Sequence, residues 1–181
     1  TWGKTVYEKE CGPFAELVRQ VAEVYRNDDL AAPISSGSVA TSGMVILPCS
    51  CNTLGEIAAG VCSTLITRAA HCHLKERRPL VLCLRETPLS LIDLRNAVAV
   101  SEAGGVVMPI SPPYYMLNPS QPEAVSLRQL LEAYVDRLLA LLEAVNFEIV
   151  LGRKRLPALE RKFALGRAVV GHDHLGHQDS A

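Results

Sequence analysis

Three polar residues suited to binding an anion lie where a predicted buried strand passes into a predicted helix. Ser50, Asn52 and Thr53 follow the apolar run 44–48 and precede a stretch with helical periodicity. The first N–H groups of a helix lack partners within the helix and attract negative charge. Together with the hydroxyls they suit a phosphate or another polar ligand, although Ser50 or Thr53 could also simply cap the helix. We therefore predict a binding site at this junction and keep helix capping as the alternative.

A charged residue stands at the end of a second predicted strand. Arg85 follows the apolar run 79–84. A guanidinium next to a buried strand needs an anionic or carbonyl partner, because an unpaired buried charge is costly. A bound ligand would supply that partner, whereas a purely structural role would require a salt bridge to Glu86 or Glu76. Arg85 is therefore a second candidate for ligand binding.

The elements that would hold these residues alternate between strand and helix. Short apolar runs bounded by Gly or Pro indicate buried strands at 44–48, 79–84 and 105–109. Helical spacing of apolar residues indicates helices over 53–74, 88–100 and 123–145, and the proline-rich stretch 109–122 indicates a loop. This alternation favours an α/β fold with a parallel sheet covered on both faces. In such folds ligands bind beyond the carboxyl ends of the strands, where Ser50 and Arg85 lie.

The two ends of the chain depart from this pattern. Residues 1–25 have helical periodicity interrupted by Cys11-Gly12-Pro13, which indicates two helices. An open parallel sheet normally begins with a strand and a Gly-rich turn, so we expect the first βαβ unit of the fold to be absent from this sequence. Beyond Asn146 the chain becomes basic and then polar, with a short helix predicted over 159–168 and a surface tail after it. We therefore predict a domain over 1–145 and a C-terminal extension over 146–181.

Composition excludes several classes of function. The net charge is −1, with 49% hydrophobic and 20% charged residues, so nothing indicates a nucleic-acid or membrane-surface partner. We find no apolar run near the roughly 18 residues needed to cross a bilayer and no signal peptide, and we expect a cytoplasmic protein. The six cysteines lie mostly in apolar stretches, as buried ones do. Cys49-x-Cys51 lacks a second matched pair, so we predict no metal site.

Five segments, taken together and in order, resemble the flavin prenyltransferase family of flavoproteins. They are Ile34-Ser35-Ser36-Gly37-Ser38, Gly43-Met44-Val45-Ile46-Leu47-Pro48-Cys49-Ser50, Thr67-Arg68-Ala69-Ala70, the run from Leu74-Lys75-Glu76-Arg77-Arg78-Pro79 to Leu82, and Arg85-Glu86-Thr87-Pro88-Leu89. The resemblance implies a three-layer α/β/α sandwich with a flavodoxin-like sheet. It also implies transfer of a dimethylallyl group from dimethylallyl phosphate to reduced FMN, without a metal. The prenylated FMN would serve a UbiD-type decarboxylase, and the enzyme would be a homo-oligomer, a dodecamer with active sites at subunit contacts.

The same resemblance implies which residues bind the flavin and which move protons. The FMN contacts would be Ser50, Cys51, Asn52, Thr53 and Arg85. The family usually has lysine where this chain has Asn52, which changes the charge at that contact. Glu86 would handle a proton near the flavin or the departing phosphate, with an exposed loop carboxylate as the alternative. Glu10 matches an early glutamate of the family in the active-site layer.

A further set of residues would bind the allylic phosphate and line the pocket. The phosphate-binding set implied by the resemblance is Lys75, Tyr115, Arg137 and Arg68, and the pocket-lining set is Ser35, Ser36 and Ser38. Cleavage of the allylic C–O bond leaves negative charge on phosphate, so cationic groups and a hydroxyl in place would stabilise it. Lys75 and Arg137 could instead be surface charges, and Arg68 could have a structural role.

Two other functions remain open. The segment Pro48-Cys49-Ser50-Cys51-Asn52-Thr53 is similar to a motif of a sister branch of FMN-dependent enzymes that oxidatively decarboxylate cysteine-containing substrates. That branch uses a histidine near the loop occupied here by Ile34 to Ser38, and this sequence has no histidine before His71. The other alternative is a non-catalytic flavin-carrying subunit of an aromatic acid decarboxylase.

Overall fold

The computed structural model describes residues 8–9, 12–19, 21–111, 125–146 and 168–171. The elements in chain order are α1 (Phe14–Val18), β1 (Glu23–Arg26), a short 3-10 helix (Pro33–Ser35), β2 (Met44–Cys49), α2 (Cys51–Ala58), α3 (Leu65–Lys75), β3 (Leu80–Leu84), α4 (Leu91–Glu102), β4 (Val106–Val107), α5 (Leu127–Asn146) and β5 (Ala168–Gly171).

The central sheet is parallel and has the order β2-β3-β4. Met44 pairs with Leu80 at the start of β2 and β3, and Cys49 pairs with Leu84 at their ends, with an irregularity in β2 between them. All five residues of β3 are buried, so this strand is covered on both faces. These observations confirm the predicted α/β fold with a parallel sheet.

Helices pack on both faces of this sheet, and β3 contributes a different set of side chains to each face. On one face Leu80, Leu82 and Leu84 of β3 pack into a core formed with α2, α3 and α4. On the other face Val81 and Cys83 pack into a second core whose remaining buried members are Tyr134, Leu138 and Leu142 of α5. Because successive strand residues point to opposite faces, the alternation along β3 produces the layers on either side of the sheet.

The single helix predicted over 53–74 is wrong, because the chain forms two helices there. Gly60 adopts a positive φ of 71° after the end of α2, a conformation that favours glycine. Thr64 then starts α3 as its N-cap, since its hydroxyl accepts a hydrogen bond from the backbone N–H of Thr67. The reciprocal bond from the Thr64 N–H to the Thr67 hydroxyl completes a capping box.

A small second sheet contradicts the helical prediction for residues 23–25. Glu23–Arg26 forms β1 and pairs in parallel with β5, with Val24 opposite Val169 and Tyr25 opposite Val170. The short helix predicted up to residue 168 is also wrong at Ala168, where β5 begins. Three predicted segments lie largely or wholly outside the described residues. They are residues 112–122 of the predicted loop, residues 159–167 of the predicted short helix and residues 172–181 of the predicted tail.

The remaining helices begin at residues with hydrogen-bonding side chains. Ser90 caps α4 and forms a capping box with Asp93. Ser126 exchanges hydrogen bonds with Gln129 at the start of α5, which sets its first residue at Leu127.

Across the described part of the chain, no helix combines the length and the apolar character that spanning a membrane requires.

Candidate active site at the strand ends

The carboxyl ends of the three central strands adjoin at one edge of the sheet. The backbone N–H of Arg85 donates to the carbonyl oxygen of Cys49 at 3.1 Å, which joins the ends of β2 and β3. The Ile110 N–H donates to the Leu84 carbonyl at 2.8 Å, which brings the chain after β4 to the same edge. The structure therefore places Ser50, Arg85 and the residues that follow them beside one another, as the parallel fold predicted.

The first turn of α2 faces this edge and is capped by Ser50. The Ser50 hydroxyl accepts from the Thr53 N–H at 3.2 Å and lies 3.1 Å from the Thr53 hydroxyl. This observation confirms the capping alternative for Ser50. No acidic residue lies in this first turn, so the positive end of the helix dipole is not neutralised from within the helix. The turn is suited to binding a negatively charged group.

On one side of α2, Cys51 contacts α4. Its thiol lies near the carboxylate of Asp93, which accepts from the Ser90 hydroxyl at 2.6 Å and the Ser90 N–H at 2.9 Å. Partial burial, the adjacent Asp93 carboxylate and the nearby charge of Glu86 raise the pKa of Cys51 to about 11. The bonds from Ser90 and then the neighbouring Cys51 thiol lower the pKa of Asp93. Cys51 therefore stays a thiol at neutral pH.

On the other side of α2, Asn52 and Glu56 form a hydrogen-bonded pair. The Asn52 Nδ2 donates to Glu56 Oε1 at 2.9 Å, and the Ser63 hydroxyl donates to Glu56 Oε2 at 3.1 Å. These bonds tie the first turn of α2 to the connection before α3. Sequence reasoning missed both Glu56 and Asp93 as parts of this site. The i, i+4 spacing of Asn52 and Glu56 and the Ser-x-x-Asp pattern at Ser90 were the available signals.

Arg85 and Glu86 are exposed at the same edge. Within the described residues, the Arg85 guanidinium makes no hydrogen bond or ion pair, while its backbone bonds to Cys49. Glu86 Oε1 accepts from the Thr87 N–H at 3.3 Å, and Glu76 instead pairs with Lys75 at 3.2 Å. The structural alternative for Arg85, a salt bridge to Glu86 or Glu76, is therefore wrong. The guanidinium is available to a ligand.

The predicted phosphate-binding residues Arg68 and Lys75 both lie on α3 and contact the loop 35–38, and Lys75 lies away from Arg85. Arg68 Nε donates to the Ser35 carbonyl at 3.0 Å, and the Lys75 side chain lies against Gly37. Because α3 ends at Lys75 just before β3 begins, Lys75 lies near the start of that strand and Arg85 follows its end. A strand of five residues separates the two ends by roughly 16 Å. Within one chain, the predicted site residues therefore form two groups. The first lies at the carboxyl ends of the strands, and the second lies along α3.

The serine loop, residues 35–38, belongs to the second group. Ser36 and Ser38 share a hydrogen bond of 2.8 Å between their hydroxyls, and the Cys72 thiol donates to the Ser35 carbonyl at 3.1 Å. Arg78 donates to the Val39 carbonyl at 2.6 Å, just beyond the loop. The loop is therefore attached along α3, with Arg68 and Lys75 next to it.

Three predicted site residues remain, of which one is exposed on α5 and two lie outside the described residues. Arg137 is exposed on α5, one turn after Tyr134, whose hydroxyl donates to the Met108 carbonyl at 3.0 Å. Burial is the main cause that raises the pKa of Tyr134, so this buried hydroxyl stays protonated. Glu10 and Tyr115 lie outside the described residues.

Known proteins with similar sequences share one family. The family model described as Flavoprotein matches residues 4–138. The flavin prenyltransferase UbiX of Thermoplasma acidophilum is 44% identical over 144 residues, which cover 79% of this chain and 77% of the relative. The enzyme of the same name from Deinococcus radiodurans is 48% identical over 113 residues, covering 62% of this chain and 58% of the relative.

Solved structures with the same fold support this relationship. The crystal structure of AnUbiX in complex with FMN and dimethylallyl pyrophosphate has a TM-score of 0.73 and 36% identity, covering 86% of this chain and 80% of that chain. A dodecameric FMN-dependent Ubix-like decarboxylase from Escherichia coli O157:H7 has a TM-score of 0.67 and 33% identity, with 87% and 80% covered. The chain belongs to the flavoprotein family and, within it, to the flavin prenyltransferases of the UbiX type.

Proposed function

We propose that this chain transfers a dimethylallyl group from dimethylallyl phosphate to reduced FMN, and that the prenylated flavin serves a UbiD-type decarboxylase. The proposal is supported by the geometry of the sheet edge, where Arg85 and the first turn of α2 adjoin. It is also supported by the 44% identity of this chain to a flavin prenyltransferase over 144 residues. We expect this chemistry to take place in the cytoplasm.

The residues at this edge fit FMN. FMN carries a phosphate dianion and a ring system whose polar edge has carbonyl oxygens and N–H groups. The first turn of α2 offers N–H groups free of acidic neighbours in the same turn, and Arg85 offers a guanidinium that can bind two acceptors at once. When bound, reduced FMN supplies the electron-rich ring atoms to which the prenyl group is joined. Ser50 to Thr53 and Arg85 would bind and orient it.

Glu86 is suited to moving the proton that the transfer releases or requires. It follows Arg85 directly, is exposed, and acts electrostatically on Cys51 at the start of α2. A carboxylate beside the flavin can take a proton from the ring or give one to the departing phosphate. Glu10 is proposed for the same layer on the resemblance alone.

The phosphate of the prenyl donor would be bound by Arg68, Lys75 and Arg137 together with Tyr115. The terminal nitrogens of Arg68 make no hydrogen bond to any described residue, so they are free to bind an anion. Because Lys75 lies near the start of β3, it cannot meet Arg85 of its own chain at one small ligand. We propose that neighbouring copies bring the two groups together.

Exposed apolar side chains support this assembly into a homo-oligomer, which we propose is a dodecamer. Leu91 and Ile92 at the start of α4 are 61% and 69% exposed, and Val98 of the same helix is 57% exposed. Leu127, Leu131 and Val135 follow one another along α5 at a spacing that places them on one face, and all three are exposed. Apolar faces of this kind mark surfaces that pack against other chains. The Escherichia coli structure with this fold is described as dodecameric.

An anaerobic assay distinguishes the proposed function from the alternatives. The protein is incubated with reduced FMN and dimethylallyl phosphate, and the flavin is then analysed by mass spectrometry. A prenyltransferase yields a flavin heavier by one dimethylallyl group. A flavin carrier returns FMN unchanged. An enzyme of the sister branch also leaves the flavin unprenylated, but in a second incubation with oxidised FMN and a cysteine-containing substrate it releases carbon dioxide and reduces the flavin.

A further inference from the structure

Asn52 is held in one orientation by a neighbouring carboxylate. Its Nδ2 lies 2.9 Å from Glu56 Oε1, one helical turn further along α2. The other oxygen of Glu56 accepts from the Ser63 hydroxyl at 3.1 Å, so the carboxylate itself is fixed between two donors. Asn52 is exposed in the first turn of α2, beside the capping residue Ser50.

This contact decides which end of the Asn52 amide faces a ligand. A carboxylate only accepts hydrogen bonds, so the nitrogen of the amide must point toward Glu56 and the oxygen away from it. Within the described part of the chain, no residue donates to Asn52 Oδ1. Asn52 therefore presents an acceptor, together with the second N–H of its amide, toward the space beyond the helix start.

An acceptor at this position does not suit a phosphate. A phosphate oxygen near Asn52 would face the carbonyl oxygen of the amide and the negative charge of Glu56 one turn away. A ligand group that donates a hydrogen bond is favoured instead. The flavin ring has such a group, the N3–H, which lies between two carbonyl oxygens and matches an amide that offers both an acceptor and an N–H.

We infer that Asn52, oriented by Glu56, accepts a hydrogen bond from the N3–H of the bound flavin through its Oδ1 and so recognises the ring rather than the phosphate. The inference rests on the proposed function, because it assigns a role within the same flavin site. Asn52 is a binding residue in this account, and Glu56 is a positioning residue that acts through it.

The test compares the affinity of the protein for FMN with that for N3-methyl-FMN, in which the donor is replaced by a methyl group. Dissociation constants are measured by quenching of flavin fluorescence. The wild-type chain should bind N3-methyl-FMN about tenfold more weakly, since one hydrogen bond is lost and its acceptor is left without a partner. In Asn52→Ala this discrimination should fall to about twofold or less, because the acceptor is absent.

Variants at Glu56 and Ser63 test whether the discrimination depends on the orientation of the Asn52 amide or only on its being near the flavin. Glu56→Gln can donate to Asn52 Oδ1 and let the amide turn, so discrimination should fall while FMN still binds. Ser63→Ala removes only the second bond to Glu56 and should keep most of the discrimination. Equal discrimination in the wild type and in Asn52→Ala would overturn the inference while leaving the flavin site intact. Failure of every variant and of the wild type to bind FMN would overturn the proposed function as well.

Discussion

The backbone N–H of Arg85 and the carbonyl oxygen of Cys49 are joined by a hydrogen bond of 3.1 Å. This bond continues the pairing of β2 and β3 by one step beyond Leu84, and it places the backbone of Arg85 next to the residues that start α2. A flexible side chain on a fixed backbone can then reach a ligand bound at that helix start. The position of the guanidinium thus depends on the sheet.

Replacement of Arg85 should weaken flavin binding without unfolding the protein. Arg85→Ala removes a charged donor that is exposed and has no partner among the described residues, so its loss costs contacts with the ligand only. We expect the dissociation constant for FMN to rise by about ten- to a hundredfold. Arg85→Lys should recover only part of the affinity, because an ammonium cannot bind two acceptors in a plane. Unchanged affinity in Arg85→Ala, measured by fluorescence quenching, would remove this residue from the site.

Cys51 should react slowly with alkylating reagents. Its pKa is raised to about 11, and the thiolate is the reactive form. Asp93→Asn removes the negative charge and keeps an amide oxygen as an acceptor. The pKa of Cys51 should therefore fall, and alkylation at pH 8 should become faster. Peptide mapping after iodoacetamide treatment would locate the modified residue, with Cys51→Ser as the control. A rate in Asp93→Asn equal to that of the wild type would show that Asp93 does not hold the thiol.

The stability of the protein should fall in mild acid because of His73. This side chain is buried, with Nδ1 2.9 Å from the Ala69 carbonyl and Nε2 2.9 Å from the Thr41 hydroxyl, and burial lowers its pKa below the ordinary 6.5. The unfolded chain therefore takes up a proton at higher pH than the folded chain does. The contribution of His73 is fully present above pH 6.5 and is lost progressively as the pH falls below that value.

Urea titrations between pH 7 and pH 5 would measure this loss. The free energy of unfolding should decrease toward pH 5 in the wild type, and the decrease should be smaller in His73→Gln, which cannot take up the proton. Identical pH dependence in the two proteins would mean that another group is responsible.

Assembly should depend on the exposed apolar side chains of α4. Ile92 is 69% exposed, so Ile92→Glu should leave the fold of one chain intact but introduce a charge into any interface formed there. Light scattering coupled to size exclusion should show a smaller species than the wild type. Glu132→Gln, which alters an exposed pair with Arg128 on α5, provides a comparison with a conservative surface change. A wild-type mass for Ile92→Glu would exclude this part of α4 from the interface.

Local sequence patterns predicted the elements that carry the site, because each was determined by its own residues. The apolar runs 44–48 and 79–84 are strands and the junction at Ser50 is a capped helix start, as predicted. β3 is buried along its whole length, but the prediction of burial is wrong for part of β2, where Leu47 and Pro48 are exposed. The break between α2 and α3 was missed since apolar residues continue at helical spacing across it, and the positive φ of Gly60 ends the first helix.

Contacts between distant residues could not be predicted in the same way. The strand Glu23–Arg26 is stabilised by pairing with Ala168–Gly171, which no nearby residue indicates. The proximity of Cys51 to Asp93 relates two helix starts that only the folded sheet brings together. The separation of Lys75 from Arg85 likewise follows from the direction of α3 and β3, which the residue types alone do not indicate.

We expect this chain to prenylate a flavin with its own side chains and no metal. This is tested by the mass of the flavin after anaerobic single-turnover incubation of the protein with reduced FMN and dimethylallyl phosphate, in the presence of EDTA. We expect a product heavier than FMN by one dimethylallyl group, formed more slowly by Glu86→Gln although that variant still binds FMN. Recovery of FMN at its original mass from the wild-type protein would contradict this expectation.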